Sequence, residues 1–316
     1  MKDTHTDANT GKFLDPLRTA NGQDRATVAL SNPQTLWFNT GTLCNITCQN
    51  CYIESSPTND ALVYLTKAEV ESYLDQLEER QWGVREIAFT GGEPYMNPQM
   101  NEMTRAALER GYEVLVLSNA MLPMMRPSVR HGITQLAAEF PGKLTVRVSL
   151  DHWDKTHHDT ERGQGSFERS LMGMDFLQGT EAKMAVAGRM LWHESEASAR
   201  DGYAQLFAKR GYAIDAQDPA MCVLFPEMDT SVEVPEITTA CWDILNTSPD
   251  TMMCASSRMV VKRKGAETPS VLACTLLPYE PEFELGTSLA EAEQKVALNH
   301  PHCAKFCVLG GASCSA

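Results

Sequence analysis

The sequence lacks long apolar segments and has few basic residues. No run approaches the ~18 consecutive apolar residues that a membrane span needs, and the first thirty residues show neither the basic nor the apolar region of a secretory signal. With 27 Lys and Arg against 41 Asp and Glu, the net charge of −14 argues against an extended nucleic-acid surface. We therefore expect a soluble, cytoplasmic protein whose partners include neither membrane nor nucleic acid.

The ten cysteines are unevenly distributed along the chain. Three lie within residues 44–51, Cys222 stands alone, and six fall between Cys241 and Cys314. Because the cytosol keeps thiols reduced, metal binding is a better expectation than disulfide pairing. The distribution predicts two separate metal centres.

Cys44, Cys48 and Cys51 are spaced Cys-x3-Cys-x2-Cys, directly after the strand-like run 35–39. A short loop at the end of a strand can bring three thiolates together to bind a metal or an iron–sulfur cluster. A closed zinc site or a saturated cubane takes four ligands, so three thiols would leave one iron open to a substrate or cofactor. From spacing alone, a zinc loop with a borrowed ligand or a disulfide with a spare thiol remains an alternative.

Strand-like and helix-like segments alternate from residue 34 to residue 225. The predicted strands are 35–39, 86–90, 113–117, 144–150, 184–189 and 221–225, and the predicted helices are 67–80, 98–110, 129–139, 167–178 and 194–209. Such alternation indicates parallel βαβ units. Six units are too few to close a (β/α)8 barrel, so the predicted fold class is α/β, a partial (β/α)6 TIM-like barrel with an open side. Residues 1–33 are expected to form an N-terminal arm and residues 226–240 a linker.

Polar residues follow several of these strands, at the edge where such barrels bind ligands. Gly91-Gly92-Glu93-Pro94 follows the second strand, and the glycines would let the backbone approach a ligand closely. Ser118, Ser149, Asp151 and Arg189 lie at or just after the ends of later strands. Asp151 can accept from sugar hydroxyls and Arg189 can pair with a carboxylate, although Arg189 as a salt-bridge partner of Glu93 is an alternative. We interpret His157 and His158 as part of a solvated polar loop.

Residues 241–316 have a different, cysteine-rich composition and form the predicted α+β extension. A hairpin of strands 258–262 and 270–274 would bring Cys254 near Cys274, and a helix over 288–299 would lead to Cys303, Cys307 and Cys314. Four of these five thiols suffice to close a [4Fe–4S] cluster, with Cys241 in reserve. The thiols alone fit a zinc-stapled tail equally well.

The segment Cys44 to Tyr52 and the motif Thr90 to Pro94 together resemble the radical S-adenosylmethionine (radical SAM) superfamily. The segment 148–167 is similar to the S-x-D and R-G-x-G-S-F pattern of its peptide-modifying branch, and the C-terminal region resembles SPASM/twitch extensions, which hold auxiliary clusters. The resemblance implies a catalytic [4Fe–4S] cluster on Cys44, Cys48 and Cys51, with SAM chelating the open iron, and a second [4Fe–4S] cluster in the extension. The family often has an aromatic residue or His before the third cysteine, where this chain has Asn50, and Tyr52 is the candidate that replaces it.

By the same resemblance, the predicted SAM-binding residues share positions at or after the strand ends; they are Tyr52, Gly91, Gly92, Glu93, Ser118, Ser149, Asp151 and Arg189. The implied activity is reductive cleavage of SAM to a 5′-deoxyadenosyl radical that abstracts hydrogen from a peptide or small metabolite, with a flavodoxin- or ferredoxin-type electron donor. The outcome would be oxidation or bond formation. The alternatives are a cofactor-biosynthesis rearrangement of the molybdenum-cofactor type and a non-enzymatic metal-binding regulator.

Overall fold

The computed structural model describes Asn9, residues 11–227 and residues 232–311. The strands are β1 Thr27–Val28, β2 Thr35–Asn39, β3 Glu86–Thr90, β4 Glu113–Ser118, β5 Leu144–Ser149, β6 Lys183–Met190, β7 Cys222–Pro226, β8 Ser257–Val261, β9 Ser270–Leu272 and β10 Val296–Ala297. The α-helices are α1 Lys67–Arg80, α2 Met100–Glu109, α3 Pro127–Glu139, α4 Lys155–Arg162, α5 Ser166–Gln178, α6 Glu196–Arg210, α7 Cys241–Ile244 and α8 Met253–Ser256. Short 3₁₀ turns and a π-helical segment, Cys303–Val308, complete the chain.

The first βα unit shows why the pattern folds as predicted. Every residue of β2 is buried, as expected for a parallel strand covered on both faces. Thr66 caps α1 through the backbone of Glu69, and the Glu69 carboxylate accepts from the backbone of Thr66, which completes a capping box. Val70, Leu74 and Leu77 then form the buried face of the helix at intervals of three and four residues.

Strands β2 to β7 form a continuous parallel sheet in the order β7-β6-β5-β4-β3-β2. Their register is set by apolar residues that face one another across the sheet; Phe38 pairs with Phe89, and their rings stack with centroids 5.7 Å apart. Six parallel strands with helical connections form the predicted partial barrel, and the fold class is confirmed.

The cysteine-rich extension continues this sheet instead of folding apart from it. Strand β8 pairs in parallel with β2, from Thr35 opposite Ser257 to Phe38 opposite Val260. Strand β9 pairs antiparallel with β8, so the predicted hairpin is present. The extension is therefore joined to the core by backbone hydrogen bonds.

The helix predicted over 288–299 is wrong. Only Glu291–Glu293 is helical, as one 3₁₀ turn, and Val296–Ala297 forms strand β10. This strand pairs antiparallel with β1 of the N-terminal arm. Pairing with a segment about 270 positions earlier in the chain thus outweighs the local helical pattern.

The described part of the N-terminal arm is anchored by a buried ion pair. Arg25 contacts Glu236 at 2.5 Å, and their side chains are 0% and 7% exposed. Arg25 also donates to the backbone carbonyls of Asp15, Arg18 and Leu298. The arm, the segment around Glu236 and the end of the extension are therefore held together at one point.

Over the described ranges, no helix combines the length and apolar character needed to cross a bilayer.

Replacing Arg25 with Met should destabilise the protein by about 3–5 kcal/mol, because Glu236 would remain buried without its partner. The free energy of unfolding, measured by urea denaturation, tests this. Glu233→Gln is the matched control, since its ion pair with Lys12 is exposed and should contribute about 1 kcal/mol or less. Equal losses in the two variants would contradict the anchoring role.

Candidate active site

A single cavity at the C-terminal edge of the sheet brings together most of the predicted site residues. The predicted residues that line it are Cys44, Cys48, Cys51, Tyr52, Gly91, Gly92, Ser118, Ser149, Asp151 and Arg189. Arg162, Asn119, Phe225, Thr275, Leu276 and Phe306 line it as well. Residues at the ends of the five strands β3 to β7, the loop that carries Cys44, Cys48 and Cys51 (the cysteine loop) and the C-terminal extension thus face one space.

In the cysteine loop, two of the sulfurs lie next to N–H donors. The backbone N–H of Ser55 lies 3.3 Å from Cys51 Sγ, and the side-chain amide of Asn119 lies 3.8 Å from Cys44 Sγ. Burial raises the pKa of Cys44 to about 12 and that of Cys48 to about 11. Such thiols ionise when they bind a metal, and the N–H donors then stabilise the thiolates.

Among the described residues, no group of three or more His, Cys, Asp or Glu side chains is arranged to hold a single metal ion. Cys44, Cys48 and Cys51 nevertheless line one cavity, and three thiolates are a donor set that fits an iron–sulfur cluster with one iron left open.

The two glycines after β3 allow two loops to pack closely. A Cβ on Gly92 would lie 2.3 Å from the carbonyl oxygen of Leu43, and one on Gly91 would lie 2.6 Å from that of Gly41. Gly92 N donates to Gly41 O at 2.8 Å, and Glu93 N donates to Leu43 O at 3.1 Å. From the sequence, the expected reason for these glycines is the close approach of a ligand. In the structure, the space that a side chain would fill is occupied by the backbone of the cysteine loop.

Glu93 does not line the cavity but organises its wall. Its carboxylate accepts from Tyr95 N at 3.2 Å, from Ser118 Oγ at 2.9 Å and from Asn119 N at 2.8 Å. Burial raises the pKa of Glu93 to about 7, against the opposing effect of these donors. Ser118, a predicted SAM-binding residue, thus donates its hydroxyl to Glu93, and the turn after β3 is tied to the end of β4.

The polar loop predicted after β5 contains a helix, α4. Asp154 caps it by accepting from the backbone of Thr156 and His157. At its C-terminus Arg162 makes a two-point ion pair with Asp151, at 2.6 and 2.8 Å. Burial acts against it, but Asp151 and the neighbouring thiol of Cys48 raise the pKa of Arg162 overall. A fixed cation is therefore held beside the cysteine loop.

The preceding residue of α4, Glu161, holds the cysteine loop itself. Its carboxylate accepts from both the backbone and the side chain of Asn50 at 2.8 Å, and from Arg189 at 2.9 Å. Arg189 also donates to Asn50 O at 3.0 Å. The suggested ion pair of Arg189 with Glu93 is thus wrong, since the partner is Glu161. Asn50, at the position where the family often has an aromatic residue, is a link in this network.

The interpretation of His157 and His158 as solvated loop residues is wrong. Both lie in α4, and His158 is completely buried, its ring edge-on to Phe167 at 5.7 Å. Burial lowers the pKa of His158 to about 4, so its ring is neutral at pH 7. His157 stacks on Trp192 with centroids 5.1 Å apart. Because most residues of this segment are polar, its sequence did not indicate a short helix with one buried face.

Three of the C-terminal thiols lie close to one another. Cys303 is buried, and the thiols of Cys274 and Cys254 are near enough to contribute electrostatically to raising its pKa, in addition to burial. Cys307 lies on the same π-helical segment as Cys303. Cys314 lies outside the described residues, and Cys241 is contacted by the backbone N–H of Thr238 at 3.3 Å.

The extension also supplies one wall of the cavity. Thr275 and Leu276 follow Cys274 directly, and Phe306 lies between Cys303 and Cys307; all three line the cavity. Phe306 packs against Phe225 at the end of β7, with centroids 5.8 Å apart. Sequence patterns did not single out these three residues, Glu161 or Asn119. Phe306, Glu161 and Asn119 contact residues that are distant in sequence, namely Phe225, Asn50 and Glu93.

The family profile described as Radical SAM superfamily matches residues 38–182. This range holds the three early cysteines, the motif 90–94 and strands β3 to β5. Residues 38–182, a little under half of the chain, therefore match the family that the motifs predicted. The family implies a [4Fe–4S] cluster and SAM.

Individual relatives match parts of the chain. The antilisterial bacteriocin subtilosin biosynthesis protein AlbA of Bacillus subtilis is 29% identical over 172 residues, which are 52% of this chain and 36% of AlbA. The sporulation killing factor maturation protein SkfB of the same organism is 26% identical over 164 residues, 49% of this chain and 34% of SkfB. The chain thus matches about a third of the length of each.

Among solved structures, Streptococcus suis SuiB bound to S-adenosylmethionine superposes with a TM-score of 0.57 and 13% identity. The superposition covers 81% of this chain and 63% of SuiB. At this identity the likeness concerns the fold alone.

The stability of the metal-free protein should depend on pH through Glu93. Since the folded-state pKa is raised from 4.5 to about 7, its stabilising contribution is complete below about pH 4.5 and is lost by about pH 7. As the pH rises through this range, the free energy of unfolding should decrease by ~3 kcal/mol. Urea denaturation at pH 5 and pH 8 measures it, and Glu93→Gln should remove this part of the dependence. An unchanged slope in the variant would exclude Glu93 as its source.

Gly92→Ala should destabilise the metal-free protein by about 1–3 kcal/mol and reduce iron uptake, because the added methyl group overlaps the carbonyl of Leu43. Melting temperature and iron content after anaerobic reconstitution are the measurements. Gly179→Ala is the control, since its φ of −81° suits any residue and its nearest neighbour would be 3.3 Å away. If both variants took up iron equally, close packing of the loops would not be required for the site.

Proposed function

We propose that this chain is a radical SAM enzyme that cleaves S-adenosylmethionine reductively and uses the product to abstract hydrogen from a substrate. The observation that carries the proposal is the cavity where Cys44, Cys48 and Cys51 face the end of the sheet together with Gly91 and Gly92. When bound, the [4Fe–4S] cluster and SAM supply an electron and a 5′-deoxyadenosyl radical.

The chain's own residues hold and orient these groups. The three thiols provide one ligand fewer than a cubane accepts, which leaves one iron for SAM. Because three donors already occupy the Glu93 carboxylate, the amino group of SAM is expected at the backbone carbonyls of Gly91 and Gly92. Ser149 and Tyr52 are further predicted SAM-binding residues, and both line the cavity.

Asp151 and Arg189 are proposed to act as charged walls of the SAM site. Each lines the cavity and is also fixed by an ion pair, Asp151 with Arg162 and Arg189 with Glu161. A paired carboxylate still has lone pairs for ribose hydroxyls, and a guanidinium still has donors for the SAM carboxylate. The pairs hold these side chains in place before the ligand binds, which lowers the entropic cost of binding.

A peptide is the substrate class that we favour. AlbA is named for the biosynthesis of a bacteriocin and SkfB for the maturation of a killing factor, and one SuiB structure contains a precursor peptide. The cavity wall formed by Phe225, Leu276 and Phe306 would accommodate an apolar side chain. These relatives support this interpretation, and not the alternatives of a cofactor-biosynthesis rearrangement or a metal-binding regulator.

We further propose an auxiliary [4Fe–4S] cluster on Cys254, Cys274 and Cys303, with Cys307 as the fourth ligand. Burial raises the pKa of Cys303, and the neighbouring thiols of Cys274 and Cys254 raise it further. Cys307 follows Cys303 by about one turn of its π-helical segment. Since residues next to these cysteines line the cavity, this centre would lie close enough to the substrate to accept an electron from it. A flavodoxin- or ferredoxin-type protein remains the expected electron donor.

Anaerobic reconstitution should give about eight irons per chain, from two cubanes. With SAM and dithionite the protein should release 5′-deoxyadenosine, measured by chromatography. Replacing Cys44, Cys48 and Cys51 together with Ala should abolish this release and leave about half of the iron. Cys222→Ala, at a buried cysteine outside both groups, is the control and should change neither quantity. Continued 5′-deoxyadenosine release by the triple variant would refute the proposal.

A further inference from the structure

Arg258 is a completely buried arginine with an unusual set of partners. Its side chain, at the start of β8, donates only to backbone carbonyls: those of Ala292, Cys254 and Ser257 at 2.5–2.9 Å, and of Gln294 at 3.4 Å. Within the described ranges, no carboxylate lies at salt-bridge distance from it. The buried Arg25 and the nearly buried Arg162, by contrast, are each paired with an acid.

A guanidinium remains protonated in proteins, so Arg258 introduces a positive charge into the interior. Carbonyl dipoles satisfy its donors but do not neutralise its charge, and an uncompensated buried charge is unfavourable by several kcal/mol. The positive charge of Arg258 therefore requires nearby anionic groups other than carboxylates.

These neighbours are the auxiliary thiols. Arg258 donates to the carbonyl of Cys254. Burial lowers the pKa of Arg258 to about 10, and the nearby thiols of Cys254 and Cys274 oppose this effect. It also ties Cys254 to the segment that leads from the hairpin towards Cys303, through Ala292 and Gln294. Its position thus links the ligands on the hairpin to the chain that carries the remaining ligands.

We propose that Arg258 is the counter-charge and positioning residue of the auxiliary cluster, and that its positive charge raises the reduction potential of that cluster. The inference rests on the auxiliary centre proposed above. Four thiolates make the bound cluster anionic, and reduction adds one more negative charge. A fixed cation nearby stabilises the reduced form more than the oxidised form, since the interaction scales with the charge.

Two substitutions separate the charge of Arg258 from its hydrogen bonds. Arg258→Gln removes the charge but keeps amide donors, whereas Arg258→Lys keeps the charge but loses most of the donors. Both are made in the background in which Cys44, Cys48 and Cys51 are Ala, so that only the auxiliary cluster is present. Arg200→Met is the control, because Arg200 is a buried arginine near β7, at the opposite edge of the sheet.

The readout is the midpoint potential from a redox titration followed by electron paramagnetic resonance, together with iron content. For Arg258→Gln we expect reduction of the cluster to become at least tenfold less favourable. This corresponds to a decrease in the midpoint potential of about 59 mV for a one-electron couple. Arg258→Lys should remain much closer to the parent, and Arg200→Met should match it. The rise in melting temperature on reconstitution should also be smaller for Arg258→Gln.

Equal potentials in the parent and Arg258→Gln would overturn this inference alone. If Arg258→Gln does not fold, Arg258→Lys still provides the test, since a large decrease in its potential would show that the charge is not responsible. Absence of iron from the background variant itself would instead refute the auxiliary centre, and the inference with it.

Discussion

The site depends on backbone contact between the cysteine loop and the turn after β3. Gly92 N and Glu93 N donate to the carbonyls of Gly41 and Leu43, and the missing side chains of Gly91 and Gly92 make room for this approach. Because Glu93 then accepts from Ser118 and Asn119, the same contact fixes the end of β4. One packing constraint thus positions the thiols, the turn and the next strand end, before any ligand binds.

Helix α4 performs the corresponding task from the other side of the loop. Its last two residues, Glu161 and Arg162, have opposite charges and different partners. Glu161 accepts a hydrogen bond from Asn50 and forms an ion pair with Arg189, while Arg162 forms an ion pair with Asp151 near Cys48. In a buried setting each charge needs its partner, so displacement of one would leave the other unpaired. The charges around the cavity therefore form a preorganised frame around the anionic cluster that we propose.

The sequence was most informative where local chemistry decides the structure. The parallel strands are short apolar runs, which indicate buried strands from the sequence alone. Helix α1 begins at a complete capping box. It was least informative where distant segments meet. The 288–299 segment pairs with the arm through Val296 and Ala297, and α4 is short and polar, with only Asp154 to mark its start. Likewise, Gly92 and Glu93 were recognised as site residues, but their actual contacts depend on Leu43 and Asn119 and could not be deduced from spacing.

The cysteine-rich extension covers one side of strand β2 in the continuous sheet. Strand β2 lies between β3 and β8, and all of its residues are buried. Cutting the chain before the cysteine-rich region would turn this interior strand into an apolar sheet edge, which is prone to association with other chains. The change in composition near residue 241 is thus no boundary at which the protein can be divided, and the extension is as much a structural support of the barrel as a carrier of thiols.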